Sequence, residues 1–128
     1  MAGRIWGSGG VALTERSLEA AYARGNIVTV AVQGDYRVRR PAMIVQSDLF
    51  SAHPSVVVLP ITDELIEAPL FRISVEHSEA NGLHQPSQIM VDKPQTLQKE
   101  KLGEVVGQLD SDTLQAVDRA LLVFLGFA

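Results

Sequence analysis

Apolar positions along the chain follow two different periods, and the change between them falls near Asp110. Ile27, Val28, Val30 and Val32 are β-branched and nearly alternate with Thr29 and Ala31, which predicts a strand with one well-buried face. Gly34-Asp35 signals a turn, and Gln33 to Arg39 reads as a loop longer than a tight hairpin. Pro41 to Gln46 predicts a second strand with proline tolerated at its first residue. Ser47-Asp48 then opens a turn or short helix through Ser51.

The continuous apolar run Ser55 to Pro60 predicts a third strand, with the polar Thr62 just past its end, followed by an acidic loop from Asp63 to Ala68. Leu70 to Val75 alternates again, Asn81-Gly82 is a turn, and Gln88 to Val91 is a further short strand before a break at Lys93-Pro94. Leu102 to Leu109 completes the set, with Gly103 and Gly107 marking close approach or a bend. Short strands at this spacing suggest a small barrel.

After Asp110 the period becomes helical. Leu114, Val117, Leu121, Phe124 and Leu125 follow the i, i+3, i+4 rule, Asp110 or Ser111 can cap, Asp112 suits the positive end of the helix dipole, and Gly126 can terminate. At the other end, Thr14 to Ala23 could form a short helix with Thr14 as N-cap, or an extended start. Met1 to Gly10, rich in glycine, is expected to be poorly ordered, and residues 1–23 together read as an N-terminal extension.

Composition narrows the classes. A chain of 128 residues fits one domain, and 46% hydrophobic with 20% charged residues is ordinary for a globular protein. The absence of cysteine excludes a disulfide framework, a thiolate nucleophile and a thiolate zinc site, and suits a reducing, cytoplasmic setting. The longest apolar stretch, Ala120 to Ala128, is about half the roughly 20 residues of a membrane span. A net charge of −4 argues against a protein coated with nucleic acid but leaves room for a local basic groove.

That groove has a candidate in Asp35 to Phe50, where Arg37, Arg39 and Arg40 run into Pro41 and the apolar Ala42 to Val45. Three cations in four positions repel one another, so an anionic ligand such as phosphate, or a local acid such as Asp35, would stabilise them. Thr62 and Arg40 stand at ends of predicted core strands, which could bring a hydroxyl and a guanidinium to one cleft without any metal. His53, His77 and His84 show no metal-ligand spacing and read as loop residues. Asp92 reads as a turn or cap residue before a catalytic carboxylate, and Asp63 and Glu64 as acids or solvated charges.

From Arg24-Gly25 to Gly126 the chain resembles the MazF/PemK (Kid) toxins of bacterial type II toxin–antitoxin modules. The matching stretches are Arg24 to Val28, Arg40 to Phe50, Pro60-Ile61-Thr62, the turn Asp92 to Thr96, and Leu102 to Leu109 with the terminal helix. The resemblance implies an α+β fold, a small SH3-like antiparallel β-barrel with a C-terminal helix, in a homodimer. It implies cleavage of single-stranded RNA at specific sequences without metal or cofactor, the 2′-hydroxyl attacking the adjacent phosphate to leave a 2′,3′-cyclic phosphate and a 5′-hydroxyl. By the same resemblance Arg40 has acid/base or transition-state duty and Thr62 holds the phosphate. Arg37 and Arg39 fall in a mobile RNA-gripping loop, with Tyr36 and Gln95 also among the RNA contacts. An antitoxin would supply a disordered, largely acidic segment that occupies the RNA groove.

The chain departs from that pattern in three places. Arg37-Val38-Arg39 replaces the glycine often found before the arginine-proline pair, Asn26 replaces a usual acid, and Met90 stands where PemK-type members carry an arginine two residues before the aspartate that Asp92 matches. A second reading from another class is a non-enzymatic poison of DNA gyrase, as in the CcdB toxins of the same fold. It needs a terminal Trp-Gly ending that Leu125-Gly126-Phe127-Ala128 lacks.

Overall fold

The computed structural model describes residues 22–32 and 35–128, the side chains of 32, 35 and 36 excepted. Its strands are β1 (Asn26–Val32), β2 (Asp35–Ile44), β3 (Ser55–Thr62), β4 (Arg72–Val75), β5 (Ser87–Met90), β6 (Gln95–Gln98) and β7 (Leu102–Gln108), followed by the helix α1 (Ser111–Phe124). Among the described residues these strands form one antiparallel sheet in the order β4-β5-β3-β2-β1-β7, with β6 paired to β3 off that path. No helix among the described residues is long and apolar enough to cross a membrane.

β3 organises the sheet because it is paired along both edges. One edge meets β2 through Ala42↔Pro60 and Met43↔Leu59. The other meets β6 over Ser55–Val58 and then β5 at Ile61 and Thr62. Thr62 is therefore the last residue of β3 and not, as expected from sequence, a position beyond it.

Alternation then sorts the side chains into two cores. On one face Ile27, Met43, Leu59, Ile61, Ile89 and Val91 pack with Leu109 and with Val117 of α1. On the other, Val28, Ala42, Ile44, Val56, Val58 and Leu102 form a second cluster, with Leu97 and Tyr22 against it. The helix end is capped as the sequence predicts: the Asp110 carboxylate accepts from the Thr113 N–H at 3.0 Å, and Gly126 beyond the last turn has φ +85°.

Two further sequence expectations need correction. The segment read as a loop from Gln33 to Arg39 is strand from Asp35 onward, and Pro41 lies inside β2, not at its start. The charged residues can be strand because Arg39 and Arg40 pair with Ala31 and Val30 of β1 while their side chains stay exposed. Proline fits there because over that stretch β2 has β1 as partner and its β3 pairing has ended at Ala42. The second correction is β6, whose polar Gln-Thr-Leu-Gln carries no strand signal beyond a half-buried Leu97, and which follows the expected break at Lys93-Pro94 directly. The expected poorly ordered start and the helix over Thr14–Ala23 lie outside the described residues, apart from Tyr22 and Ala23, which are not helical.

The β4–β5 connection is docked on β7. The Gln108 N–H donates to the Ala80 carbonyl at 2.9 Å, and a Cβ on Gly107 would lie 2.2 Å from the Asn81 carbonyl carbon. Backbone cannot yield as a side chain end can, so Gly107→Ala should cost roughly 1–3 kcal/mol or more. Gly126→Ala meets nothing within 4 Å and should cost only the left-handed penalty of roughly 1–2 kcal/mol. Urea unfolding of the two variants should place the Gly107→Ala midpoint lower; equal midpoints would contradict the docking.

Candidate active site

Neighbouring residues in a strand project to opposite faces, so the extension of β2 separates two arginines that the sequence presents as a pair. Arg40 follows Ala42 and Ile44 onto the second-core face, whereas Arg39 follows Met43 onto the face that carries α1. The Arg40 side is the mouth of the second core: a cavity of about 640 Å³ opens there between β1, β2, β3 and β6. Arg40, Pro60, Gln95 and Thr96 line it, with Val30 and Ala42 as its apolar floor. Among the described residues the Arg40 guanidinium has no hydrogen-bond or ion-pair partner, which leaves its charge available to an anion.

Gln95 comes to this cavity through the strand that the sequence does not announce. It opens β6 opposite Val58, so its side chain shares the face of Val58 and hence of Arg40. Thr62 ends the neighbouring stretch of β3, two residues past the Ala42↔Pro60 pair as Arg40 is two residues before it. Its hydroxyl is not among the groups lining the cavity; it accepts from the Glu64 N–H at 3.0 Å. That bond fixes the oxygen and leaves the hydroxyl proton free to donate.

The remaining candidates fall elsewhere. Arg37 is exposed on β2 and already engaged in an interaction, and the backbone of Tyr36 belongs to the same strand. Arg39 lies over the notch between β1 and β7, where a Cβ on Gly103 would come 2.2 Å from Thr29 Oγ1 and 2.8 Å from Arg39 Nη1. The Glu64 side chain is exposed, while the Asp63 carboxylate is bonded by the Gln85 amide. The histidines take no part in a metal constellation: among the described residues no group of three or more His, Cys, Asp or Glu is gathered.

Arg72 and Asp92 form a pair that sequence spacing does not suggest. Arg72 Nε donates to Asp92 Oδ1 at 3.0 Å, with the two side chains only 10% and 18% exposed. Arg72 sits directly across from Met90 in the β4–β5 register, so a guanidinium reaches the aspartate from the adjacent strand although position 90 carries none. The pair stands at the corner where the chain leaves β5 and enters β6, four residues after which Thr96 and, before it, Gln95 meet the Arg40 cavity. Burial opposes ionisation of Asp92, but the hydrogen bond and charge of Arg72 outweigh it and hold the carboxyl below its ordinary 3.8.

The chain is matched over residues 23–125 by the family of PemK-like, MazF-like toxins of type II toxin–antitoxin systems. It is 44% identical over 106 residues to the "Probable endoribonuclease MazF" of Mycolicibacterium smegmatis, covering 82% of this chain and 97% of the relative. The solved structure of the Mycobacterium tuberculosis toxin MazF-mt6 superposes with a TM-score of 0.67 at 25% identity, over 79% of this chain and 96% of that one. A mycobacterial endoribonuclease solved in complex with its cognate antitoxin gives 0.69 at 23% identity, over 84% and 98%, and shares the fold.

Because the folded value of Asp92 lies below the unfolded one, the pair contributes fully above the ordinary aspartate range and loses that contribution as pH falls through the lowered value. Asp92→Asn should therefore flatten the loss of stability on acidification between about pH 5 and pH 2, read as urea midpoints. Arg72→Met should cost roughly 1–3 kcal/mol at pH 7, and less in the Asp92→Asn background. Parallel pH curves for wild type and Asp92→Asn would contradict the pairing.

Proposed function

The chain belongs to the PemK-like, MazF-like toxins of type II toxin–antitoxin systems, and from that membership we propose how it acts. It is a MazF-type endoribonuclease toxin neutralised by a cognate antitoxin. Its substrate is single-stranded RNA, cut at specific sequences, and the toxin unit spans residues 24–128. The observation that carries this reading is the Arg40 guanidinium on the free edge of β2, unpartnered among the described residues and lining a cavity of about 640 Å³ together with Gln95.

The chemistry that suits this arrangement is an internal transfer. The 2′-oxygen attacks phosphorus as its proton passes to water, the bond from phosphorus to the 5′-oxygen breaks, and that oxygen takes up a proton from the Arg40 guanidinium, which regains one from water. The products are a 2′,3′-cyclic phosphate and a 5′-hydroxyl. Negative charge grows on the non-bridging oxygens, and a fixed guanidinium beside them is worth most where water is partly excluded. Arg40 is the main stabiliser and the proton donor to the leaving oxygen, and Thr62 holds a non-bridging oxygen with the hydroxyl proton that its bond to Glu64 leaves free. Gln95, with Arg37, Arg39 and Tyr36, contacts RNA. No metal or cofactor enters the scheme.

The fold we infer is a small SH3-like barrel. Support comes from β3 pairing on both edges and from the β4–β5 connection reaching β7 through Gln108 and Ala80. A homodimer would cover the apolar end of α1, where Phe124 and Leu125 are about half exposed and Phe127 is 76% exposed. The exposed arginines of β2 suit an acidic, disordered antitoxin segment as well as RNA. The setting is cytoplasmic.

Arg40→Ala should abolish cleavage of a long RNA in the presence of EDTA while leaving the melting temperature within a few degrees of wild type, since the residue is exposed. Full cleavage by this variant would overturn the assignment.

A further inference from the structure

We infer that the concavity on the opposite side of β2 from the Gln95 cavity is a base-recognition subsite, which takes a nucleobase of the bound RNA next to the cleaved phosphate. The inference rests on the endoribonuclease reading and deepens it.

This second hollow has a volume of about 330 Å³, at the lower end of the roughly 300–1,000 Å³ typical of ligand sites. Arg39 and Arg40 form its cationic wall, and Asp63, His84, Gln85 and Ser87 form the facing one. Arg40 therefore borders both cavities, so a nucleotide seated here is adjacent to the phosphate held in the first. A wall that holds a carboxylate opposite two arginines suits a group with both donors and acceptors at its edge. A nucleobase is such a group, and a second phosphate is not.

The facing wall is rigid before any ligand arrives. Asn81 is 94% buried within its loop: its side-chain oxygen accepts from the N–H groups of Ser78 and Leu83 at 3.0 Å, and its amide donates to the Glu76 carbonyl at 2.8 Å. Gly82 closes the contact with β7, since a Cβ there would lie 2.2 Å from the Val106 carbonyl oxygen. The loop thus presents His84 and Gln85 from a fixed platform. Gln85 donates to Asp63, and the Ser87 hydroxyl donates to the Gln85 carbonyl at 2.9 Å. One amide proton of Gln85 is thereby committed, while its oxygen and second N–H are left to read a base edge.

Asp63 is held from its own side too. The buried Gln88 side chain accepts from the Ile66 N–H at 3.1 Å and donates to the Ile66 carbonyl at 2.9 Å, pinning the acidic loop to β5. On the arginine wall, Gly103 leaves the space that Arg39 and Thr29 occupy. Recognition that depends on hydrogen-bond geometry needs such fixed partners.

The test is to map the 5′-hydroxyl ends made from one long RNA by wild type, His84→Ala and Gln85→Ala. Both side chains are exposed, so the variants should melt as wild type does. The expected result is continued cutting with discrimination at one fixed position of the cleavage motif reduced by at least about tenfold in one or both variants. An unchanged motif in both overturns the inference, whether cleavage is equally fast, uniformly slower, or accompanied by weaker binding of an acidic antitoxin peptide. A wild-type chain that cuts no RNA removes the endoribonuclease reading as well; wild-type cutting with an unchanged motif in the variants removes this inference alone.

Discussion

The alternation of side chains along β2 is the constraint on which the functional geometry depends. Once Met43 is committed to one core and Ala42 and Ile44 to the other, Arg40 and Arg39 have their sides chosen for them. Arg40 is then delivered to the mouth of the second core and Arg39 to the notch over Gly103. A slip of one residue would exchange them and bury the wrong face of the strand. The same hydrophobic burial that sets the register therefore sets which of the two arginines reaches the Gln95 cavity.

β3 supplies the second half of the arrangement by holding β2 on one edge and two successive partners on the other. The change of partner requires a corner after Met90, and the mostly buried Arg72–Asp92 pair stands at that corner. Such a pair is a weak source of net stability but a strong one of geometry, because either partner left alone would be a poorly solvated charge. Its consequence is the placement of β6, which carries Gln95 to the Arg40 cavity.

Most of the sheet was legible from sequence because β-branched runs such as Ile27–Val32 and Ser55–Pro60 carry a strong signal, and the terminal helix because its apolar period and Asp110 cap agree. The errors fall where burial is absent. Arg37 to Arg39 reads as loop because its one apolar residue, Val38, stands alone between arginines and stays exposed, and β6 escapes sequence reading because an edge pairing of polar residues needs only backbone. For the site, the arginine before Pro41 could be singled out, but its separation from Arg39 required knowing that the strand continues. Arg72 could not be found by spacing, since its partner lies 20 residues away and the link between them is the β4–β5 register. The rigid wall of His84 and Gln85 left only the Asn81-Gly82 turn as its sequence signal.

The division of labour between the two adjacent arginines is the central claim, and single-turnover cleavage of one RNA oligonucleotide at increasing enzyme concentration tests it most directly. Arg40→Ala should lose the rate at saturation, whereas Arg39→Ala should mainly raise the concentration needed to reach half of its maximal rate. Equal losses of the saturated rate in the two variants would contradict the account.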